Sequence, residues 1–289
     1  MKFHHITFIL LLSFFSTHLF AQSNLVDEAW LKKNLNAKNL VVIDMSDDTQ
    51  YQRFHIPGAA HLPYGAINTQ RKDKASVSIG QENMIKVMGL LGIKRDSQVV
   101  IYDDMGGLHA GRLYWEMTRL GHPKVALLDG GLVSWILAGN KVDNHPVQAL
   151  KVVYKAKAGK DSFAVDESAF PVKKAQQVID VRSVEEYVGN KKYPRSGHIP
   201  GAINWSWDNS LDIAAGFKLK PKQQLEKELK SLGIDKSKPT ILYCRSGHRA
   251  SQAFHTLRYL GFKDVKLYDA SMKGYSKQKQ LPMKLGKLP

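Results

Sequence analysis

Cys244 is the sole cysteine of the 289-residue chain, in the run Thr240-Ile241-Leu242-Tyr243-Cys244-Arg245-Ser246-Gly247-His248-Arg249-Ala250-Ser251. An apolar run ends at the thiol, a Gly-containing loop with two arginines follows, and a helical pattern then begins. That order predicts a sulfur held where backbone N–H groups, a helix N-terminus and cationic side chains all favour its thiolate. A free thiol ionises near pH 8.5, and surroundings of this kind bring the value to roughly 3.5–7.5. A lone cysteine is more often a small buried hydrophobe, but charged and small neighbours favour the reactive thiol here. An ionised thiol needs no general base. His248 therefore reads as a substrate-side or loop-shaping residue, with a solvent-exposed side chain as the plain alternative.

Short β-rich runs alternating with helical patterns must position this loop. Strands are predicted at Leu40–Ile43, Val99–Tyr102, Val125–Leu128, Gln177–Val181, Thr240–Tyr243 and Val265–Tyr268. Helices are predicted at Ile85–Leu91, Ala110–Leu120, Lys222–Leu232 and Arg249–Leu260, with Gly121 and Gly261 as terminators. Continuous apolar strands alternating with helices imply an α/β fold, a mostly parallel sheet with helices on both faces. Ligands bind such sheets beyond the carboxyl ends of the strands, where Cys244 falls.

The chain also repeats itself at an offset of about 140 residues. Val41-Val42-Ile43-Asp44 returns as Val178-Ile179-Asp180, and His55-Ile56-Pro57-Gly58-Ala59 returns letter for letter as His198-Ile199-Pro200-Gly201-Ala202. Val99–Asp103 answers Pro239–Cys244, which puts Asp103 where the second copy has its thiol. Each copy is of domain size. The predicted organisation is a leader over 1–21, a first domain over 22–142, a linker over 143–162 and a second domain over 163–289. Asp103-Asp104 cannot do thiol chemistry and has no metal-ligand spacing, so the first copy reads as structural. His55 and His198 read as turn residues, because both copies have them and only one has the thiol.

The N-terminus has a short basic start at Lys2, His4 and His5, an interrupted apolar run over Ile6–Phe20, and a small residue at Ala21. This describes a secretory signal peptide cleaved after Ala21, with an uncleaved anchor as the variant reading, and predicts a periplasmic or secreted protein without stable membrane insertion. An unpaired cysteine in an exported chain suggests intermolecular pairing or a reactive thiol. Hydrophobic residues make up 43% of the chain and charged ones 24%, which excludes a disordered protein. The net charge of +16 favours anionic partners. The cations are dispersed, however, and no nucleic-acid motif is present, so small oxyanions fit better than nucleic acid.

These residues resemble the rhodanese or sulfurtransferase family in its tandem two-domain form. The resemblance covers nearly all of the chain after the leader. It rests on Asp180-Val181-Arg182-Ser183 with Glu186-Tyr187, on Gly197–Ala202 and on the Cys244–Arg249 loop. It implies two rhodanese-like domains, the first lacking the cysteine and the second catalytic, and a double displacement through a Cys244 persulfide with no cofactor or metal. The donor would be a small anion, in first place thiosulfate. The acceptor would be cyanide or a thiol, with an acceptor protein as a further partner. The resemblance also implies that backbone N–H groups of Arg245, Ser246, Gly247, His248 and Arg249 cradle the sulfur. Arg245 and Arg249 would attract the anion, and Asp180 and Arg182 would support the loop, a surface ion pair being the bland reading of the latter two. Cys-x4-Arg is one residue shorter than the loop of related phosphatases and arsenate reductases. The loop lacks the Cys-Gly-Ser-Gly-Val-Thr pattern of 3-mercaptopyruvate-using members, yet Glu186 stands where animal thiosulfate enzymes carry an arginine. The alternatives are thus a 3-mercaptopyruvate sulfurtransferase, a persulfide carrier, or a thiol redox protein of the cell envelope.

Overall fold

The computed structural model describes residues 23–156 and 161–289. The predicted leader falls outside them. In the first domain, β1 (Leu25–Val26), β2 (Leu40–Asp44) and β3 (Ala60–His61) are followed by the hairpin β4 (Asn68–Gln70) and β5 (Ser76–Ser78), then by β6 (Gln98–Tyr102) and β7 (Val125–Leu128). The second domain follows the same plan. It has β8 (Ala164–Val165), β9 (Gln177–Asp180), β10 (Ala202–Asn204), the hairpin β11 (Leu211–Asp212) and β12 (Lys218–Leu219), and finally β13 (Thr240–Tyr243) and β14 (Val265–Tyr268).

Each domain is built on a five-stranded sheet, ordered β1-β7-β6-β2-β3 in the first and β10-β9-β13-β14-β8 in the second. Every pairing in both sheets is parallel. Helices cover them: α1 (Glu28–Asn34), α2 (Asp48–Arg53), α3 (Gln81–Leu90), α4 (Ala110–Arg119) and α5 (Gly131–Leu137), then α6 (Val184–Val188), α7 (Lys222–Ser231), α8 (His248–Tyr259) and α9 (Ser271–Tyr275). The predicted strands and helices match these elements to within a few residues. Unpredicted are the edge strands, the hairpins and the shortest helices, which carry too few residues for a period to register.

The two domains join through α4 and α8. Residues 110–117 and 250–257 are buried throughout, since each helix has its own sheet on one side and the other helix opposite. Gly111 permits this approach: a Cβ there would lie 2.7 Å from Cα of Gln252. The hairpins cross the boundary reciprocally. Ser78 in β5 donates its N–H to Asp269 of the second domain (2.7 Å), and Leu219 in β12 donates its N–H to Asp129 of the first (2.8 Å). Ala75 is fully buried within the second domain's core, beside Phe170 and Tyr268.

Part of the predicted linker lies along the first domain. Val152 donates its N–H to Gly89 (2.9 Å), and buried Tyr154 meets His122 at 3.0 Å. His55 and His198 are fully buried. Their rings stack on Tyr51 and Tyr187 at 3.9 and 3.7 Å, and their backbones bridge to Asp143 and Lys284, tying each domain to the chain leaving it. Among the described residues no helix is long and apolar enough to cross a membrane.

Candidate active site

Cys244 follows β13 directly, at the carboxyl edge of the second sheet, and is 1% exposed. The chain turns at Gly247, in the left-handed conformation (φ 78°), and enters α8. A Cβ on Gly247 would stand 2.6 Å from both the carbonyl and a carboxylate oxygen of Asp269 and 3.2 Å from Arg112. Glycine is required here for its backbone and for the lack of space.

The loop's N–H groups divide into two sets. Those of Cys244 and Gly247 donate to the hydroxyl of Ser271 at 3.1 and 3.0 Å, and that hydroxyl donates to the Tyr268 carbonyl. Gly247 therefore does not turn its N–H to the sulfur as the family resemblance implied, because the left-handed turn points it at Ser271. The N–H groups of Arg245, Ser246, His248 and Arg249 donate to no acceptor among the described residues. They remain for an anion at the start of a three-turn helix.

The first copy shows how such a turn binds negative charge. The Asp103 carboxylate accepts N–H bonds from Met105 and Gly107 on one oxygen (both 2.9 Å), and from His109 (2.7 Å) and Ala110 (2.8 Å) on the other. The cradle before α4 is thus filled by the protein's own carboxylate. Asp103 there occupies the sequence position that the thiol holds before α8.

The cationic groups differ from one another. Arg245 is exposed and has no ion-pair partner among the described residues. Arg249 is half-buried and held in a fork by Glu186, at 2.6 and 3.0 Å. Arg249, expected from the sequence to draw the anion, has its charge matched by the Glu186 carboxylate. Burial works against both charges, but the paired hydrogen bonds lower the Glu186 pKa and raise that of Arg249. Ser183 caps α6 and sets Glu186 in its first turn. The spacing would let Glu186 close a capping box, yet it reaches across to Arg249 instead.

Arg182 binds the fully buried Asp180 through Nε (2.9 Å) and Nη2 (2.5 Å), and Nη2 also reaches the Gly197 carbonyl at 2.8 Å. The surface ion-pair reading fails, since Arg182 is 6% exposed. Burial disfavours its charge, and Asp180 more than restores it.

Three residues of the first domain reach the site. Tyr64, in a single 3₁₀ turn at Tyr64–Ile67, lies over the His248 ring at 4.0 Å, and His109 stacks on the same ring at 4.9 Å. His248 is therefore packed rather than solvent-exposed. Burial first, then the nearby His109, Arg112 and Arg249, push its pKa down to about 3. It is neutral at working pH and shapes the loop. Arg112, fully buried in α4, pairs with Asp269 through two bonds (2.5 and 3.1 Å) directly behind Gly247. Burial works against the Arg112 charge, and Asp269 with Glu116 outweighs it. Sequence reading missed Tyr64, His109, Arg112, Asp269 and Ser271. The Glu186 position carried a signal, as the residue four beyond Arg182, and so did Asp269, which answers Asp129 of the first copy in the repeat. Among the described residues no cluster of three His, Cys, Asp or Glu side chains could hold a metal ion.

The model of the rhodanese-like domain matches residues 27–138 and again 168–278. A Mycobacterium bovis protein provisionally named thiosulfate sulfurtransferase 1 is 33% identical over 275 residues, covering 91% of this chain and 98% of its own. A Saccharopolyspora erythraea protein with a similar provisional name is 31% identical, covering 90% and 95%. Among solved structures, the 3-mercaptopyruvate sulfurtransferase SseA from Escherichia coli aligns with a TM-score of 0.76 at 24% identity, covering 86% of this chain and 99% of that one. The anaerobic ergothioneine biosynthesis enzyme from Chlorobium limicola shares the fold at 23% identity and a TM-score of 0.79, with 91% and 70% covered.

Proposed function

The chain belongs to the rhodanese family as a two-domain sulfurtransferase, and on that premise we propose that it moves the outer sulfur of thiosulfate to cyanide or a thiol through Cys244. The observation that carries this reading is the placement of the thiol. It ends a central strand, ahead of backbone N–H groups that have no acceptor among the described residues, in the turn whose counterpart in the first domain holds a carboxylate.

In the first step the Cys244 thiolate attacks the outer sulfur of thiosulfate. The S–S bond of the donor breaks, sulfite leaves with its electron pair, and Cys244 carries a persulfide. In the second, the acceptor's nucleophilic atom attacks the outer persulfide sulfur and the Cys244 thiolate leaves. This is covalent catalysis, with ping-pong kinetics. The free N–H groups of Arg245, Ser246, His248 and Arg249 hold the persulfide's negative charge, as their counterparts hold Asp103. Exposed Arg245 draws the anionic donor. Arg249 with Glu186 forms a wall that is polar but nearly neutral, and the Asp180–Arg182 pair fixes the strand end next to the thiol. The names of the Mycobacterium and Saccharopolyspora relatives support thiosulfate as donor. The leader-like N-terminus supports export to the periplasm or beyond.

The deciding experiment is the intact mass of the purified chain before and after thiosulfate, beside a Cys244→Ser variant. A gain of one sulfur, removed by cyanide and absent from the variant, is expected. If neither thiosulfate, 3-mercaptopyruvate nor polysulfide adds sulfur to Cys244, the sulfur-transfer reading is wrong. If only 3-mercaptopyruvate does, the donor assignment is wrong and the transfer stands.

A further inference from the structure

The duplication leaves one groove filled in the first domain and open in the second. In the first, the chain leaving the domain turns back across the end of α3. Val152 donates its N–H to the Gly89 carbonyl at 2.9 Å, and Tyr154 is buried in the same core cluster as Met88, Leu91 and Ile93. Its hydroxyl meets Nδ1 of His122 at 3.0 Å. The fit is close: a Cβ on Gly89 would lie 2.5 Å from the Val152 carbonyl oxygen, and one on Gly92 would lie 2.9 Å from that of Leu150.

The second domain builds the same frame. Ile93 and His122 donate their N–H groups to the carbonyls of Met88 and Met117, as Ile234 and Phe262 donate theirs to Leu229 and Leu257. By this correspondence Lys230, Leu232, Gly233 and Phe262 stand where the first copy has Gly89, Leu91, Gly92 and His122. Among the described residues no segment lies across them. A Cβ on Gly233 would meet no atom within 4 Å, and Leu232 is 41% exposed where Leu91 is 8% exposed. A cavity of about 520 Å³ opens here, floored by the buried Leu229, Ile234 and Phe262. The segment leaving this domain runs elsewhere: Gly286 donates its N–H to Val188, and the Leu288 carbonyl meets Nε2 of His198 at 3.1 Å. The cavity lies near the amino ends of β13 and β14, at the opposite edge of the sheet from Cys244.

Two replacements define what fits. Phe262 in place of His122 removes the partner of a phenol hydroxyl, so the floor favours an unsubstituted ring. Lys230 in place of Gly89 closes the backbone's close approach and sets an exposed ammonium on the rim. That ammonium has no ion-pair partner among the described residues, whereas Lys236 beside it is paired with Glu226 at 3.3 Å. We propose that this cavity docks a segment of another protein that carries a phenylalanine next to an acidic residue. The ring enters over Leu229, Ile234 and Phe262, the carboxylate meets Lys230, and the main chain passes over Gly233. The occupant is a peptide because the equivalent groove is filled by one, the chain's own linker. A single aromatic anchor in an apolar pocket supplies most of the affinity of such a contact, and the charge-assisted bond fixes its register.

The test uses a fluorescein-labelled peptide of residues 147–156 carrying Val153→Glu and Tyr154→Phe, titrated into the full chain with anisotropy as the readout. Saturable binding is expected below about 1 mM. It should weaken ten-fold or more when alanine replaces the phenylalanine, the scale of one buried aromatic side chain. It should weaken several-fold in the chain carrying Lys230→Glu, an exposed position whose replacement leaves the fold intact. Hydrogen exchange with the peptide bound should protect residues 229–236 and leave 85–93 unchanged, which distinguishes this cavity from the filled groove. No saturable binding, equal binding of the alanine peptide, or protection confined to 85–93 would overturn the proposal. So would phenylacetate competing as well as the peptide, which makes this a small-molecule site, or dimerisation of the chain that Lys230→Glu abolishes, which makes the occupant a second copy. None of these readouts depends on sulfur transfer at Cys244.

Discussion

At the scale of single residues, the site depends on two groups chosen for what they leave free. Gly247 permits a turn that no Cβ could enter, with Asp269 and Arg112 packed behind it. Gly247→Ala should therefore slow sulfur loading by at least ten-fold, because a shift of a few tenths of an ångström misaligns the N–H groups that hold the charge, and such donors are worth roughly 10²–10³ in rate. Rapid-mix mass spectrometry of persulfide formation measures this, and a rate equal to the parent's would show that the turn does not position the N–H groups. Glu186 acts in the opposite sense by matching Arg249. Glu186→Gln leaves that guanidinium unmatched beside the thiol. The expected result is a KM for thiosulfate lowered by a few-fold and more sensitive to salt, since an unmatched surface charge is screened over about 10 Å at 0.1 M.

At the scale of elements, the two copies of one strand–turn–helix unit solve the same electrostatic problem differently. Both turns gather backbone N–H groups at the start of a helix. Before α4 the turn is closed by Asp103, whereas before α8 it is left open over Cys244. Asp103→Ala removes the acceptor of four N–H bonds, each buried donor left unsatisfied costing about 1–3 kcal/mol. The first domain should lose several degrees of Tm, with Asp103→Asn in between, while persulfide loading at Cys244 is retained. Scanning calorimetry beside the mass assay checks both halves. An unchanged Tm would mean that water replaces the carboxylate without cost. The strands, the longer helices and the duplicated unit were legible in the sequence because each is a local pattern of period or spacing. The hairpins were not, since β4–β5 and β11–β12 are stabilised by the opposite domain rather than by their own amphipathicity.

For the whole molecule, the first domain acts on the site through the interface it shares with the second. Arg112 is the clearest link, as it stands between Glu116 on its own helix and Asp269 beside the catalytic loop. Arg112→Ala leaves the half-buried Asp269 carboxylate without its cation, while Glu116 keeps Arg119, and breaking such a pair costs up to about 3–5 kcal/mol. Both stability and loading rate should fall, although Arg112 belongs to the domain without a nucleophile. The molecule as a whole should also be acid-sensitive. Burial lowers the pKa of His122 and His255 to about 4 and that of His248 to about 3. Between these values and the unfolded value near 6.5, the unfolded chain binds protons that the folded chain refuses. Stability therefore falls as pH drops through that window, by up to about 1.4 kcal/mol per pH unit for each group. Buried Asp44 and half-buried Asp104 and Asp129, whose pKa values burial raises, oppose this at the acid end. Denaturation of His122→Gln between pH 6.5 and 4 should show a shallower slope than the parent, and an identical slope would show that His122 titrates normally.

The sequence by itself determined the α/β class, the duplication, the position of the nucleophile at a strand end and the identity of the domain that carries it. All of these follow from local hydrophobic period and from residue spacing within one loop. Only the tertiary structure decided which loop charges are free and which N–H groups remain open. It also decided that Tyr64, His109 and Arg112 belong to the site. The reason is physical: the partner that neutralises a charge or accepts a hydrogen bond lies elsewhere in the chain, Glu186 for Arg249, Ser271 for Gly247, and Asp269 for Arg112 across the domain boundary. Spacing along the chain carries no record of such pairings, because packing of α4 on α8 brings them about.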